Sequence, residues 1–322
     1  MARIIAGVGT SHTPAIGAAV DLGRTGEPYW APLFKGYEAA KKWIAEAKPD
    51  VVIMVYNDHV NAFDFKVVPT FGLGCAEEFP IADEGWGARP VPIVKGHPEL
   101  AAHLVQSLVL DEFDITIVNE MQVDHGLTVP MTLLFGTPTE WPCRVIPLSV
   151  NVIQYPAPTG HRCYMLGQAI AKAVASWDED LKVVIFGTGG MSHQIQGPRA
   201  GLVNAPFDKA FLDGLSRDPQ RLVRIAPLEY LREAGAEAIE LVMWLIMRGA
   251  LGRNVREVHR FYHVPASSTA VGNIILENAP PVSPRKGARS KPKRAGKSAR
   301  RGARPAARRA PGKSRAKARK AK

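Results

Sequence analysis

Four segments of the 322-residue sequence lead from an apolar, strand-like run into a histidine. They are IIAGVGTSH, VVIMVYNDH, VVIFGTGGMSH and DITIVNEMQVDH, which end at His12, His59, His193 and His125. Neutral imidazoles bind metal ions or carry protons, because histidine side chains titrate near neutral pH. The sequence contains no His-Glu-x-x-His helix, no P-loop and no Gly-x-Ser-x-Gly elbow, so it lacks the usual signals of zinc hydrolases, nucleotide phosphate sites and serine hydrolases.

A carboxylate in an apolar segment extends this set of residues. Glu240 lies in YLREAGAEAIELVMWLIMRGAL, which is predicted to form a helix. Residues 241–247 are apolar on every face, so the helix is expected to be buried all round, where an unpaired charge is costly. Either Glu240 forms a buried ion pair with an arginine such as Arg248 or Arg232, or it binds a metal. Two histidines and one carboxylate form the triad of non-haem Fe(II) oxygenases, which leaves open coordination positions.

Strands and helices must position these side chains. Apolar strands are predicted at 4–8, 51–55, 115–118, 145–150 and 183–186. Helical segments lie between or after them: LFKGYEAAKKWIAEA, HPELAAHLVQSLVL, TGHRCYMLGQAIAKAVASW and FDKAFLDGLSR. This alternation predicts an α/β domain with a central, mostly parallel sheet flanked by helices. Because ligands of such sheets bind outside the carboxyl ends of the strands, parallel strands would bring the four histidines to one edge.

The net charge of +11 is unevenly distributed. Residues 285–322 contain 18 Lys or Arg and no acidic residue, whereas residues 1–284 contain 23 basic and 30 acidic residues, a formal charge of −7. We therefore predict a domain over 1–284, for which nucleic-acid binding is not inferred, and a disordered basic tail over 285–322 that lacks aromatic and β-branched residues. The tail is either a solvated appendage, the more common outcome for charge runs, or an attachment to nucleic acid or another polyanion.

The spacing of the cysteines and the length of the apolar runs predict where in the cell the protein is located. Cys75, Cys143 and Cys163 are widely spaced and form no Cys-x-x-Cys, which argues against a structural zinc site or a disulfide framework and fits a reducing cytoplasm. No run reaches the roughly 18 apolar residues of a transmembrane helix, and the N-terminus has no apolar signal region. A cytoplasmic protein is expected.

Nine segments, in order over roughly residues 1–280, resemble class III, LigB-type extradiol ring-cleaving dioxygenases, in particular the catalytic β subunits of protocatechuate 4,5-dioxygenases. They are SHTPAIGAA, VYNDH, FDFKVVPTF, ADEGWGARPVP, VKGHPEL, VDHGLTVP, GTGGMSHQIQGPRAGL, EAIELVMWLIMRGAL and FYHVPASSTAVG. Long matches that occur in order along the chain are far more specific than a single short motif. We expect the DEGWGARP segment to form a structured loop at the pocket rim or at a subunit contact.

The resemblance implies roles for particular residues. Two histidines and a carboxylate bind Fe(II), with O2 as co-substrate. One further histidine is the acid/base residue beside the iron, another hydrogen-bonds the substrate or intermediates, and three polar residues line the pocket for the ring substituent. The implied iron ligands are His12, His59 and Glu240, and the implied acid/base residue is His193. The histidine that hydrogen-bonds the substrate or intermediates is His125. The pocket residues are Asn57, Ser267 and Ser268, and Ser268 replaces an asparagine of the relatives.

The resemblance also implies the reaction and a partner. The ring bond adjacent to the two hydroxyls is cleaved with both oxygen atoms incorporated, so protocatechuate would give 4-carboxy-2-hydroxymuconate semialdehyde. Gallate and other carboxylated catechols are alternative substrates, because a few pocket contacts decide the preferred ring pattern. A separately encoded small helical α subunit would cover the pocket in an α2β2 assembly.

An alternative from a different class is a non-enzymatic binding protein of the same fold, tethered to nucleic acid by its tail. The intact set of His12, His59, Glu240 and His193 argues against it.

Overall fold

The structure, a computed structural model, describes residues 1–279. The predicted tail at 285–322 and the predicted domain boundary at residue 284 lie outside the described residues, and both stay predictions.

Ten strands and nine α-helices make up the described part of the chain. The strands are β1 (Arg3–Thr10), β2 (Val51–Tyr56), β3 (Phe71–Gly74), β4 (Glu78–Phe79), β5 (Val94–Lys95), β6 (Thr116–Val118), β7 (Arg144–Val150), β8 (Lys182–Thr188), β9 (Val255–Ala266) and β10 (Thr269–Asn278). The helices are α1 (Pro14–Asp21), α2 (Ala31–Ala47), α3 (Pro98–Leu110), α4 (His125–Phe135), α5 (Gly160–Ala175), α6 (Ala205–Arg217), α7 (Pro219–Leu222), α8 (Pro227–Glu233) and α9 (Leu241–Gly249), with a 3₁₀ turn at Glu237–Glu240. None of these helices is both long and apolar enough to cross a membrane.

Eight strands form one mixed sheet in the order β6-β3-β7-β2-β8-β1-β10-β9. Its centre, β7-β2-β8-β1, is parallel throughout, as the alternation of strands and helices predicts. The β9–β10 hairpin adds two antiparallel strands beside β1. All five predicted strands and the four predicted helices named above are present, and the predicted fold class is confirmed.

Strand β2 shows why the central strands are continuous apolar runs. All six of its residues are buried, and successive side chains point to opposite faces of the sheet. Val51, Ile53 and Val55 pack into the core that includes α3, α5 and α9. The alternate residues of β2 pack into a second core with α1, α2 and α4. Because helices cover both faces, polar residues on β2 become available for chemistry only where the strand ends.

The fourth histidine segment departs from the expected strand direction. Strand β6 pairs parallel with β3, but β3 pairs antiparallel with β7, so β6 runs opposite to β1, β2 and β8. Its carboxyl end therefore lies at the other edge of the sheet. Residues 119–124 lead the chain back, pairing at Val123 with Ile81, and His125 reaches the common edge at the start of α4. The prediction of four parallel strands ending at one edge holds for three and is wrong for β6.

The predicted helix over YLREAGAEAIELVMWLIMRGAL is broken. Helix α8 ends at Glu233, Gly235 has a φ of +103°, and a 3₁₀ turn precedes α9. A side chain at Gly235 would collide with the carbonyl oxygen of His193, 2.0 Å from the position of its Cβ. The continuous apolar run of 241–247 is fully buried, as predicted. Glu240 consequently lies in the turn before a buried helix and not within the helix.

Candidate metal-binding active site

The carboxyl ends of β1, β2 and β8 lie side by side at one edge of the sheet. His12 follows β1 by two residues, His59 follows β2 by three, and the loop after β8 leads to His193. Three neighbouring parallel strands thus bring together side chains that are far apart in the sequence. This is the position at which open α/β sheets bind ligands.

His12 is buried, and both of its ring nitrogens have defined surroundings. Its Nδ1 lies 2.9 Å from the hydroxyl oxygen of Thr188, and that hydroxyl has the carbonyl oxygen of Gly126 as its own acceptor at 3.5 Å. The Thr188 oxygen therefore accepts from Nδ1–H, which leaves the lone pair on Nε2. The Nε2 atom is buried without a hydrogen-bond partner and lies 3.5 Å from a Glu240 oxygen. A buried ring nitrogen that has a lone pair and no hydrogen-bond partner can serve as a metal ligand.

His59 is oriented by Asp124. Its Nδ1 lies 3.0 Å from the Asp124 carboxylate, which also accepts the backbone N–H of His59 at 2.6 Å. The other Asp124 oxygen accepts from the backbone N–H of Gly126 at 2.8 Å and so caps α4. Burial would raise the pKa of Asp124, but the His59 ring lowers it far below its ordinary value. Burial likewise lowers the pKa of His59, and the Asp124 carboxylate outweighs this and raises it to about 9.

Glu240 projects toward His12 from the turn before α9. One of its oxygens accepts the backbone N–H of Gly190 at 2.6 Å. Gly189 has a φ of +134°, and a Cβ there would lie 2.6 Å from the Glu240 Cβ, so only glycine permits this approach. Burial would raise the pKa of Glu240, but the neighbouring histidine rings, His12 foremost, lower it to about 2. The carboxyl group is therefore ionised at neutral pH.

The ion pair considered for Glu240 is not formed. Buried Arg248 donates to three backbone carbonyl oxygens, those of Leu215, Gly252 and Arg253. Arg232 pairs with Glu233 on the surface. This interpretation of Glu240 was wrong, because the broken helix turns Glu240 toward the histidines.

One ring nitrogen of His12, one of His59 and one carboxylate oxygen of Glu240 all lie within 4.8 Å of one another. The donor set fits a divalent transition metal, since each histidine has its second nitrogen hydrogen-bonded elsewhere. The structure also brings donor atoms of His59, Asp124 and His125 within 4.8 Å of one another. There the Asp124 carboxylate already accepts four hydrogen bonds from His59, Asn61 and Gly126. Asp124 therefore acts as an orienting group.

His193 lies beside this cluster with a different hydrogen bond. Its Nδ1 donates to the carbonyl oxygen of Met191 at 2.8 Å, and its backbone N–H donates to the carbonyl oxygen of Ala234 at the helix break. The bond from Nδ1 leaves the Nε2 lone pair available in the cavity that His193 lines. The arrangement can accept a proton from a bound molecule and return it.

His125 is the fourth histidine at the edge. Its ring stacks on His59 at a centroid distance of 3.9 Å and stands edge-on to His12 at 5.8 Å. Burial is the main cause that lowers the pKa of His125, followed by the charge of His59. Its Nδ1 and its backbone N–H are both hydrogen-bonded to the Glu84 carboxylate.

A cavity of about 570 Å³ opens onto these residues. All eight residues predicted for the site line it: His12, Asn57, His59, His125, His193, Glu240, Ser267 and Ser268. Asn57 lies with its amide nitrogen 3.0 Å from His59 Nε2. Ser267 occupies the β9–β10 turn with a φ of +59°, and its backbone N–H donates to the hydroxyl of Tyr29 at 2.9 Å.

Sequence reasoning missed the residues that hold the histidines. Asp124, Thr188 and Glu84 each bond one of them, and Gly190 bonds Glu240. Asp124 had a weak signal, because aspartate is a favoured helix N-cap but the helix that it caps was itself not predicted. Glu84 also had only a weak signal, because it lies in the DEGWGARP segment, which was predicted to form a loop at the pocket rim or at a subunit contact. Thr188 had none, because its contact joins residues 176 positions apart.

Comparison with known proteins identifies the family of this chain. The family described as "Catalytic LigB subunit of aromatic ring-opening dioxygenase" matches residues 6–272. The chain belongs to this family. Its members are named for opening aromatic rings with dioxygen, and the predicted LigB-type class is confirmed.

Individual relatives differ in the substrates that their names carry. A gallate dioxygenase of Pseudomonas putida is 46% identical over 62% of this chain and 58% of its own length. Two 2,3-dihydroxyphenylpropionate/2,3-dihydroxicinnamic acid 1,2-dioxygenases, from Pseudomonas putida and Mycolicibacterium paratuberculosis, are each 32% identical. The match to the Pseudomonas putida enzyme covers 65% of this chain and 63% of that relative. The match to the Mycolicibacterium paratuberculosis enzyme covers 54% of each. All three matched regions thus span less than two thirds of the relatives' length.

A solved structure shares the fold. An uncharacterized protein from Escherichia coli K12 superposes with a TM-score of 0.52 at 13% identity, covering 84% of this chain and 99% of that one. At this identity the likeness concerns the fold alone.

Proposed function

We propose that this chain is the catalytic subunit of an Fe(II)-dependent extradiol dioxygenase that opens the ring of a carboxylated catechol. The observation that carries the proposal is the convergence of His12, His59 and Glu240 within 4.8 Å in a LigB-family chain. The His193 Nε2 lone pair beside this set, in a cavity of about 570 Å³, supports acid/base chemistry at the same place.

The donor chemistry supports iron as the metal. Two imidazole nitrogens and one carboxylate, with no thiolate among them, are the ligands of non-haem Fe(II) oxygenases. His12 would hold the ion through Nε2. His59 would hold it through the Nε2 that the Asn57 amide nitrogen contacts at 3.0 Å in the structure, and ionised Glu240 would supply the negative charge. When bound, Fe(II) supplies the redox chemistry through which triplet dioxygen reacts with a closed-shell catechol.

The protein's own residues would handle binding and protons. His193 Nε2 takes a proton from a substrate hydroxyl and returns it when the ring opens, while the bond from Nδ1 to Met191 keeps the ring oriented. His125 hydrogen-bonds a substrate oxygen. Asn57, Ser267 and Ser268 contact the ring substituent from the cavity wall.

We propose gallate as the first substrate to test and protocatechuate as the second. The sequence resemblance favoured protocatechuate, but the relative at 46% identity is named a gallate dioxygenase. One ring hydroxyl distinguishes the two acids. A site that hydrogen-bonds that hydroxyl would reject the analogue that lacks it more strongly than an apolar site would.

Oxygen uptake tests the proposal. The full-length chain, loaded anaerobically with Fe(II), is given gallate, protocatechuate, 3-O-methylgallate and homoprotocatechuate in turn. We expect metal-dependent uptake, fastest with gallate, and a ring-opened product that contains both atoms of labelled O2. No uptake with any of the four acids, with and without a co-expressed small helical α subunit, would contradict the activity.

Two partner proposals go with this function. The α subunit would cover the cavity in an α2β2 assembly, and co-expression is expected to raise turnover. The basic segment 285–322 would bind polyanions, so truncation after Pro284 should leave turnover intact and abolish salt-sensitive retention on heparin. Retention that survives truncation would exclude this role for the tail.

A further inference from the structure

Glu84 enters the site from a loop that its own neighbours hold in shape. Asp83 accepts hydrogen bonds from the backbone N–H groups of Gly85 and Gly87, at 2.9 and 2.8 Å, and pairs with Ala88 across the loop. The same loop exposes Trp86 to solvent. Within residues 83–88 only Glu84 is not exposed to solvent, and its side chain is 10% exposed.

The Glu84 carboxylate binds His125 at two places. One oxygen accepts the backbone N–H of His125 at 2.9 Å, and the other contacts the ring Nδ1. A carboxylate only accepts hydrogen bonds, so the Nδ1 that it contacts must carry the proton. In the neutral ring the second nitrogen, Nε2, then has a free lone pair.

We propose that Glu84 is a positioning residue that sets the tautomer of His125, so that Nε2 presents a hydrogen-bond acceptor to the cavity. The partner of that acceptor would be a hydroxyl of the substrate ring, a step that rests on the proposed function. If the proton were on Nε2 instead, the same ring nitrogen of His125 would be a hydrogen-bond donor, which suits a substrate oxygen that carries no hydrogen.

Glu84→Gln separates these two states with almost no change in shape. A glutamine has one acceptor oxygen and one donor amide group. With its oxygen on the His125 backbone N–H, its amide donates to Nδ1 and shifts the ring proton to Nε2. The surface variant Glu78→Gln is the matched control, because Glu78 pairs with Lys95 on the β4–β5 ribbon, away from the cavity.

The first measurement is the ring nitrogen spectrum of full-length, 15N-histidine-labelled protein without added metal. The His125 signals are assigned by their loss in His125→Phe. We expect a protonated Nδ1 in the wild type and in Glu78→Gln, and a protonated Nε2 in Glu84→Gln. A wild-type proton on Nε2, or identical spectra for wild type and Glu84→Gln, would overturn the inference.

The second measurement is a double-mutant cycle on oxygen uptake. We expect Glu84→Gln to lower kcat/KM by about tenfold to a hundredfold with iron content unchanged, since a substrate hydroxyl loses its acceptor. In the His125→Phe background the same change should cost less than about twofold. Equal losses in both backgrounds, or loss of iron, would overturn the inference.

The two measurements also separate this inference from the proposed function. A wild type inactive toward every catechol contradicts the function, while the tautomer of His125 is still decided by the nitrogen spectrum.

Discussion

The two sides of the cavity are built differently. On the proposed metal side, His12, His59 and Glu240 lie at strand ends or in a tight turn, and each has a side-chain atom hydrogen-bonded to a buried group. The loop side, another part of the cavity lining, comes from loops. Ile153 and Ile195 are 42% and 62% exposed there, and Ser268 is exposed.

This difference separates two requirements. A metal site needs donor atoms held in one geometry before the ion arrives, which buried hydrogen bonds provide. A substrate pocket can be adjusted by replacing loop residues without disturbing the sheet. We therefore expect substitutions on the metal side to abolish binding of the ion and substitutions on the loop side to change preference among substrates.

Removing a donor should have the largest effect. His59→Ala and Glu240→Gln are each expected to weaken iron retention by more than about a hundredfold, beyond the loss usual for an orienting residue. Iron content is measured after anaerobic loading and desalting, with Glu46→Gln on the exposed face of α2 as the control. Full iron content in either variant would remove that residue from the proposed ligand set.

Removing the proposed acid/base group should leave the metal in place. His193→Ala is expected to lower turnover by about 10²–10⁴-fold while iron content stays at the wild-type level, because its ring acts on protons. Both quantities are measured on one preparation. The roles would have to be exchanged if His193→Ala lost iron and His12→Ala kept it.

An orienting residue should have an intermediate effect. Asp124→Asn removes the charge that His59 faces, and we expect Fe(II) affinity to fall about tenfold to a hundredfold. Asparagine can keep the N-cap of α4 through its oxygen, but its amide group then faces the His59 and Asn61 donors that Asp124 accepts, so the thermal unfolding temperature should also fall. Anaerobic Fe(II) titration measures the affinity, and a wild-type value would show that His59 needs no carboxylate.

The smallest effects are expected on the loop side. Ser267→Ala and Ser268→Asn should leave iron content unchanged and shift the ratio of kcat/KM for gallate and protocatechuate by less than about tenfold, as one pocket contact permits. Oxygen uptake with both acids measures that ratio. A loss of iron in either variant would break the distinction between the two sides.

Much of this site could be predicted because three of its histidines follow strands that are visible in the sequence. Apolar runs ending at Ser11-His12, Asp58-His59 and Ser192-His193 predicted three parallel strand ends, and the structure has them side by side. The ligand roles of His12, His59 and Glu240 stay predictions. The direction of β6 could not be predicted, because the sequence of a three-residue strand does not show which strand it pairs with or in which orientation. Helix α4 was missed because it is buried along almost its whole length and contains Pro130, so it shows no amphipathic period.

The sequence by itself determined which segments are buried strands, which polar residues follow them, and how the basic charge is divided along the chain. Each of these is a local property of composition and spacing. Only the tertiary structure decided that Glu240 precedes a broken helix, that Arg248 binds carbonyl oxygens, and that Asp124, Thr188 and Glu84 hold the histidine rings. These contacts join residues far apart in sequence, and their free energy depends on burial in a packed interior that no single segment specifies.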